Sequence, residues 1–336
     1  MLQNDCVSVT ATETRDSYFS ADVEYNATPQ ELLDFLLTSY SGSTNQTIEN
    51  GQLTRPDFTK RGMGAIGLIL CAIQTNSEKR DLYPDEFMKC LNWAQQNAID
   101  IRGSNKQPRG LLEPPTSWGK APLFDENYKL TSEINQNSSF SILHNKPDIM
   151  ARIINERISP SAKLIIPLGN GGITGGIDTF SNLQNPDDIL HNVYFSSHKK
   201  DHEGPIVSGH EMAFLTSAAK DRTVVIYDDQ VHSGGSMYEA IKYFHCELGT
   251  EAVYGVASNH ALMEYAPELN QNRNFNPVIL RSTDSSSPFL EFIIRSKPNL
   301  ARFDQFGTIK FNANATDKSQ RYSFTIAYPT PTIQKW

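Results

Sequence analysis

Between Thr223 and Ala257 the chain spells out one complete crossover unit. An apolar run, Thr223–Tyr227, ends in two adjacent carboxylates, Asp228 and Asp229. A polar and glycine-rich segment follows through Ser236, then a helical stretch, Met237–Leu248, and a second apolar run, Ala252–Ala257. A continuous apolar run reads as a strand buried on both faces, and two such runs joined by a helix lie parallel in one sheet. The same alternation begins after Lys146, with a helix expected over Pro147–Ile158, a strand over Leu164–Pro167, a glycine-rich turn, and a strand over Asn192–Phe195. Past Asn270 the pattern weakens to a polar run at Asp284–Ser287, an apolar stretch at Phe289–Ile294 and a late strand at Tyr322–Ala327. The expected fold class is therefore α/β, a parallel sheet flanked by helices over residues 141–336 with a C-terminal extension.

Residues 1–140 read differently, as a mostly helical region of unassigned role. Thr28-Pro29 precedes apolar positions at Leu32, Leu33, Phe35 and Leu36, a second helix fits Gly62–Gln74, and a third begins after Pro84 and carries Phe87, Met88, Leu91 and Trp93. From Arg102 to Phe140 the chain turns to Pro, Gly, Ser and Asn, which places a boundary there. With 336 residues, 38% hydrophobic and 20% charged, the chain is long enough for two domains of about 150 residues each. Its formal charge of −8 argues against general nucleic-acid binding, which concentrates Lys and Arg to displace counterions. The longest strongly apolar stretch, Met63–Ile73, falls short of the roughly 20 residues that cross a bilayer. Met1–Tyr18 has no basic segment followed by an apolar one, so a cytoplasmic location is expected. Cys6, Cys71, Cys90 and Cys246 form no C-x-x-C pair and read as structural thiols rather than a zinc site.

Three segments carry chemistry. The carboxylates of Asp228 and Asp229 end a buried strand, where open α/β sheets bind ligands. After them, His232-Ser233-Gly234-Gly235-Ser236 opens a helix, whose N–H groups and positive dipole suit a phosphate. An isolated Asp pair would do no more than cap a turn; strand, pair, loop and helix together favour a site. Upstream, Pro167–Gly176 is a glycine-rich turn after a strand. It lacks the dinucleotide fingerprint, because Thr174 occupies the third glycine position, and it has no G-K-[ST] ending. Between the two lies Ser197–Pro205, with Lys199, Lys200, Asp201, His202 and Glu203 before Gly204. Alone it would read as a solvated charged turn.

Val224–Ser236 resembles the phosphoribosyl diphosphate (PRPP) motif of the type I phosphoribosyltransferase family: apolar strand, two acidic residues, two mostly apolar positions, and a small, glycine-rich loop. The resemblance implies that Asp228 and Asp229 hold the ribose hydroxyls, and that His232, Ser233, Gly234, Gly235 and Ser236 bind the 5′-phosphate. It implies a diphosphate loop at Leu168, Gly169, Asn170, Gly171 and Gly172, whose glycines would admit close approach and unusual backbone angles. The Lys-Lys-Asp-His run resembles the mobile catalytic loop of orotate phosphoribosyltransferases, with Lys199, Lys200 and His202 stabilising the departing diphosphate. Gln230 and His232 depart from the motif, which usually has an apolar residue at the first position and often an acid at the second; His232 suits a proton carrier or an exposed loop residue equally. The resemblance covers roughly Leu164 to His260.

The implied activity is a pentosyl transfer from PRPP to a nitrogenous base, a pyrimidine such as orotate among them, with Mg²⁺ as cofactor and diphosphate released. Asp228 and Asp229 would meet the metal, if at all, through water. Two other readings stay open. Val224–Ser236 with Ala257–His260 also resembles the second domain of ribose-phosphate diphosphokinases, and a non-catalytic PRPP-sensing module would keep the phosphate cradle alone. The expected partners are small molecules, with neither nucleic acid nor membrane, and a homodimer is what the resemblance carries for assembly.

Overall fold

A computed structural model of the chain describes residues 23–27, 82–103, 130–134, 146–169, 171–195, 205–260, 276–282, 284, 286–294, 305–312, 314 and 322–327. The chain divides into two compact units, Met1–Leu143 with Ile206–Glu211, and His144–Pro205 with Met212–Trp336. The expected helices at residues 32–36 and 62–74 lie outside the described residues.

In the first unit, helix α1 (Pro84–Gly103) starts on a proline with Asp85 and Glu86 in its first turn, where the ring's fixed φ and the helix dipole favour them. Phe87, Cys90, Leu91 and Ala94 recur at helical spacing and are fully buried. Burial, with help from the Glu86 charge, pushes the Cys90 thiol up to about 12, which suits an inert structural thiol. Cys246 departs from that reading and is exposed. Strands β1 (Val23–Ala27) and β2 (Leu130–Ile134) pair antiparallel, Val23 opposite Ile134. The expectation of a mostly helical region did not include this pair, because each strand's partner lies far along the chain.

The second unit carries an eight-stranded sheet. Helix α2 (Pro147–Arg157) buries Met150, Ala151, Ile153 and Ile154 and leads into β3 (Lys163–Pro167), every residue of which is buried. Helix α3 (Gly171–Ser181) and the short strand β4 (Ile189–Leu190) follow. After helix α4 (Gly209–Ala219) come β5 (Thr223–Val231), helix α5 (Gly235–Leu248) and β6 (Val253–His260). Four further strands complete the sheet: β7 (Val278–Ser282), β8 (Phe289–Ile294), β9 (Gln305–Phe311) and β10 (Tyr322–Ala327). The spatial order is β10-β9-β8-β7-β6-β5-β3-β4. Pairings from β4 through β3 and β5 to β6 are parallel, and those from β6 through β7, β8 and β9 to β10 are antiparallel.

The α/β class holds, but the sheet is mixed rather than parallel, because the C-terminal extension returns as adjacent antiparallel strands. Local boundaries also shift. The named strand is Ile189–Leu190, earlier than the expected Asn192–Phe195, of which Val193 and Tyr194 form bridges, Val193 with Leu168. Strand β5 does not stop at Tyr227; pairing of Asp228 with Ala257 and Gln230 with Asn259 keeps it extended to Val231. Helix α5 ends on Gly249 at φ 61°, a left-handed stop for which glycine carries no Cβ penalty.

Helix α5 packs on the sheet through Met237, Ala240, Ile241 and Phe244. Phe244 is fully buried, so Phe244→Ala is expected to cost about 3–5 kcal/mol in urea unfolding. Lys242→Ala, on the exposed face, is expected to stay within about 0.5 kcal/mol in the same measurement.

Candidate functional site

From β3 the chain passes through α3 to β4 on one side of β3, then returns to β5 on the other side. Crossovers that diverge in this way leave a crevice at the C-terminal ends of the two central strands. The glycine turn leaves β3 there, and the acidic pair lies at the end of β5.

The turn is held to both neighbouring segments. Leu168 N–H donates to the Tyr227 carbonyl at 2.8 Å, and Gly169 N–H donates to the Val193 carbonyl at 2.7 Å. Gly172 N–H closes the turn on the Leu168 carbonyl at 3.1 Å. A Cβ on Gly171 would collide with the Asp229 carboxylate, and one on Gly172 would collide with the Tyr227 carbonyl oxygen. At Gly169 it would stand 2.8 Å from the Phe195 nitrogen. Backbone packing requires Gly169 and Gly172, whereas at Gly171 the Asp229 side chain could turn aside. The unusual angles expected of them are not found, since among the described residues positive φ occurs in glycine only at Gly234 and Gly249. Asn170 lies outside the described residues.

At the end of β5, Asp229 N–H donates to the Asp228 carboxylate at 2.9 Å. Burial first, and the neighbouring Asp229 charge second, raise the Asp228 carboxyl well above the ordinary carboxylate range. Such a group gains from a cation or from hydroxyl donors that satisfy its charged form. Next to the pair, Tyr227 is fully buried and its hydroxyl is hydrogen-bonded to the Ser258 hydroxyl of β6. Burial raises the Tyr227 phenol as well, so it stays neutral.

The phosphate-loop candidates occupy the turn from β5 into α5. His232 is exposed, Ser233, Gly235 and Ser236 are partly exposed, and Gly234 is buried. Gly234 caps α5 at φ 82°, a conformation that disfavours any side chain, and its Cβ would stand 3.2 Å from Ile309 of β9. The first turn of α5 presents N–H groups that have no acceptor within the helix. The structure thus brings Leu168, Gly169, Gly171, Gly172, Asp228, Asp229 and the His232–Ser236 turn to one edge of the sheet. Lys199, Lys200 and His202 lie outside the described residues.

One group at this edge was not among the expected site residues. His260 ends β6 opposite Val231, is 3% exposed, and among the described residues has no hydrogen-bond partner at Nδ1 or Nε2. Its signal in the sequence was the polar tail Ser258-Asn259-His260 on an apolar strand, at the same sheet edge as the acidic pair.

Among the described residues there is no group of three or more His, Cys, Asp and Glu that could hold a metal by itself. The oxygen-only donor set of Asp228 and Asp229 suits Mg²⁺, which binds through few protein ligands and completes its shell with water and substrate phosphates. Among the described residues no helix is long and apolar enough to cross a membrane. Comparison with family models, with curated proteins and with solved structures finds no match to this chain.

Burial holds the His260 imidazole down, from near 6.5 to about 4. A depressed folded-state value means that the unfolded chain takes the proton first. The stability contributed by neutral His260 is therefore complete above pH 6.5 and is lost as the pH falls toward 4. Between about pH 7 and pH 4.5 the protein should lose about 2 kcal/mol more than His260→Leu does, read from urea midpoints at the two pH values. Asp228 works in the opposite sense: its raised carboxyl favours folding at low pH, and that contribution is lost as pH rises past the ordinary carboxylate range.

Proposed function

We propose that this edge of the sheet binds PRPP and that the protein is a phosphoribosyltransferase-like enzyme transferring the 5-phosphoribosyl group to a nitrogenous base. One observation carries the reading: the glycine turn after β3 and the acidic pair near the C-terminal end of β5 lie in direct contact, Gly171 against Asp229, a few residues before the glycine-capped start of α5. A diphosphate cradle, a pair of hydroxyl acceptors and a phosphate loop are thereby contiguous, in the order that diphosphate, ribose and 5′-phosphate follow along PRPP.

In this reading the carboxylates of Asp228 and Asp229 accept hydrogen bonds from the ribose hydroxyls. The first-turn N–H groups of α5, with Ser233 and Ser236, hold the 5′-phosphate. The turn after β3, with Leu168, Gly169, Gly171 and Gly172, takes the diphosphate through its backbone N–H groups. Mg²⁺, when bound, offsets charge on the diphosphate oxygens. The base nitrogen then forms its bond to C1 as the bond from C1 to the diphosphate oxygen breaks. That electron pair leaves with diphosphate, and the proton released from the nitrogen passes to His232. The sugar takes on oxocarbenium character between the two, as in glycoside cleavage. Lys199, Lys200 and His202 offset charge on the departing diphosphate. Orotate is the base to which the resemblance of their loop points.

Calorimetric titration of PRPP with and without Mg²⁺, followed by diphosphate release on addition of single bases, tests the reading. Asp228→Asn combined with Asp229→Asn is expected to abolish PRPP binding; unchanged affinity would sink the assignment. For Lys199→Ala combined with Lys200→Ala, turnover should fall at least tenfold more than PRPP affinity. Equal losses of rate and affinity would remove the loop from the transition state.

A further inference from the structure

Tyr227 brings a hydroxyl to the end of an otherwise apolar run, immediately before the acidic pair, and the proposed chemistry leaves it without a part. The residue is fully buried, and its hydroxyl is hydrogen-bonded to that of Ser258, which is 4% exposed. Two apolar side chains could fill the same space at little cost, because a buried bond between neutral hydroxyls adds little net stability. Stability alone therefore does not account for the pair; its place beside Asp229 does. Side chains alternate along a strand, so Tyr227 and Asp229 share one face of β5. The register that pairs Asp228 with Ala257 and Gln230 with Asn259 sets Ser258 opposite Asp229, on that same face. Asp229 thus stands between Gly171, against which its carboxylate packs, and Ser258 across on β6.

Adjacent strands lie about 4.8 Å apart, so a serine opposite an aspartate has the carboxylate within reach of its hydroxyl. A hydroxyl bonded to a carboxylate makes a stronger bond than one bonded to another hydroxyl. What holds the serine away is Tyr227. Its bond fixes the Ser258 oxygen in one of three staggered positions, and turning toward Asp229 would cost the buried phenol that bond. The Tyr227 ring is itself held by α3, where a Cβ on Gly176 would stand 3.4 Å from it. We infer that Tyr227 is a positioning residue of the site: by holding Ser258 it keeps the Asp229 carboxylate on the glycine turn, in place for the ribose hydroxyls. This inference rests on the PRPP reading of the same site. Asp229 alone meets the ligand; Tyr227 acts on it through Ser258.

Calorimetric titration of PRPP with Mg²⁺ into two variants of the full-length protein tests the inference. Tyr227→Phe keeps the ring and releases Ser258 from the phenol, so PRPP affinity should fall about tenfold, the worth of one charge-assisted hydrogen bond that the ribose must displace. Adding Ser258→Ala removes the competing hydroxyl and should restore affinity to within about threefold of the unaltered protein. A merely structural role predicts the reverse, a second core substitution adding to the damage of the first. The Asp229 carboxyl carbon resonance, assigned through Asp229→Asn, gives a reading without ligand: it should move in Tyr227→Phe and return in the double variant. Full affinity or an unmoved resonance in Tyr227→Phe would overturn the inference, and so would a loss of affinity that Ser258→Ala does not restore. Absence of PRPP binding by the unaltered protein would instead fell the parent reading, and this inference with it. Should Tyr227→Phe fail to fold, the double variant, which lacks both hydroxyls, is compared with the unaltered protein directly; equal affinity is expected, and a loss of about tenfold would overturn the inference.

Discussion

The second unit is organised around the close approach of the β3 turn to the end of β5. The Leu168 N–H on the Tyr227 carbonyl continues the parallel ladder one residue past the strand, and Gly172 sits where a Cβ would strike that same carbonyl. This contact sets where α3 begins, brings Gly171 against Asp229, and aligns the two strand ends that form the crevice. A side chain at Gly172 could be accommodated only by moving the backbone of one strand relative to the other. Polar groups at the sheet's C-terminal edge would move with it, so candidate function and packing depend on the same few atoms.

The antiparallel half of the sheet has a part in this arrangement. Tyr238, in the first turn of α5, stacks on Phe311 of β9 with ring centroids 4.2 Å apart, and its hydroxyl donates to the Ser287 carbonyl at 3.2 Å. Phe311 N–H donates to the Pro288 carbonyl at 2.8 Å, fixing that ring in turn. Together with Ile309 against Gly234, these contacts set the position of the helix start that follows the His232–Ser236 turn. The C-terminal strands therefore act as a buttress for the loop, a role their weak local pattern did not reveal.

Legibility in the sequence followed the range of the forces involved. The β5-α5-β6 crossover was readable because continuous apolar runs and helical spacing are local signals. The extension of β5 through Asp228, Asp229 and Gln230 was not, since these residues disfavour strands and stay extended through pairing with β6. Helix α3 was hidden by four glycines in its first six residues, each costing about 1 kcal/mol relative to alanine, an amount that only packing on Pro167 and Tyr227 offsets. Helix α4 did leave a local sign. Ser208 and Glu211 form a reciprocal capping box, with the Glu211 N–H on the Ser208 hydroxyl at 3.1 Å and the Ser208 N–H on the Glu211 carboxylate at 3.3 Å. Strand β9 contains Gly307, a poor strand former, because a Cβ there would strike the Phe292 ring and the Thr325 carbonyl of the flanking strands.

The sequence by itself determined the α/β character of the second unit, the apolar strand that leads into the acidic pair, and the two glycine segments that follow strands. Each depends on neighbours within a turn or two. The tertiary structure decided that the sheet is mixed, that the two glycine segments and the acidic pair share one edge, and that His260 is buried there with both nitrogens unsatisfied. Strand order and register are set by which distant segments pair and bury one another's faces, and local spacing carries no record of that choice.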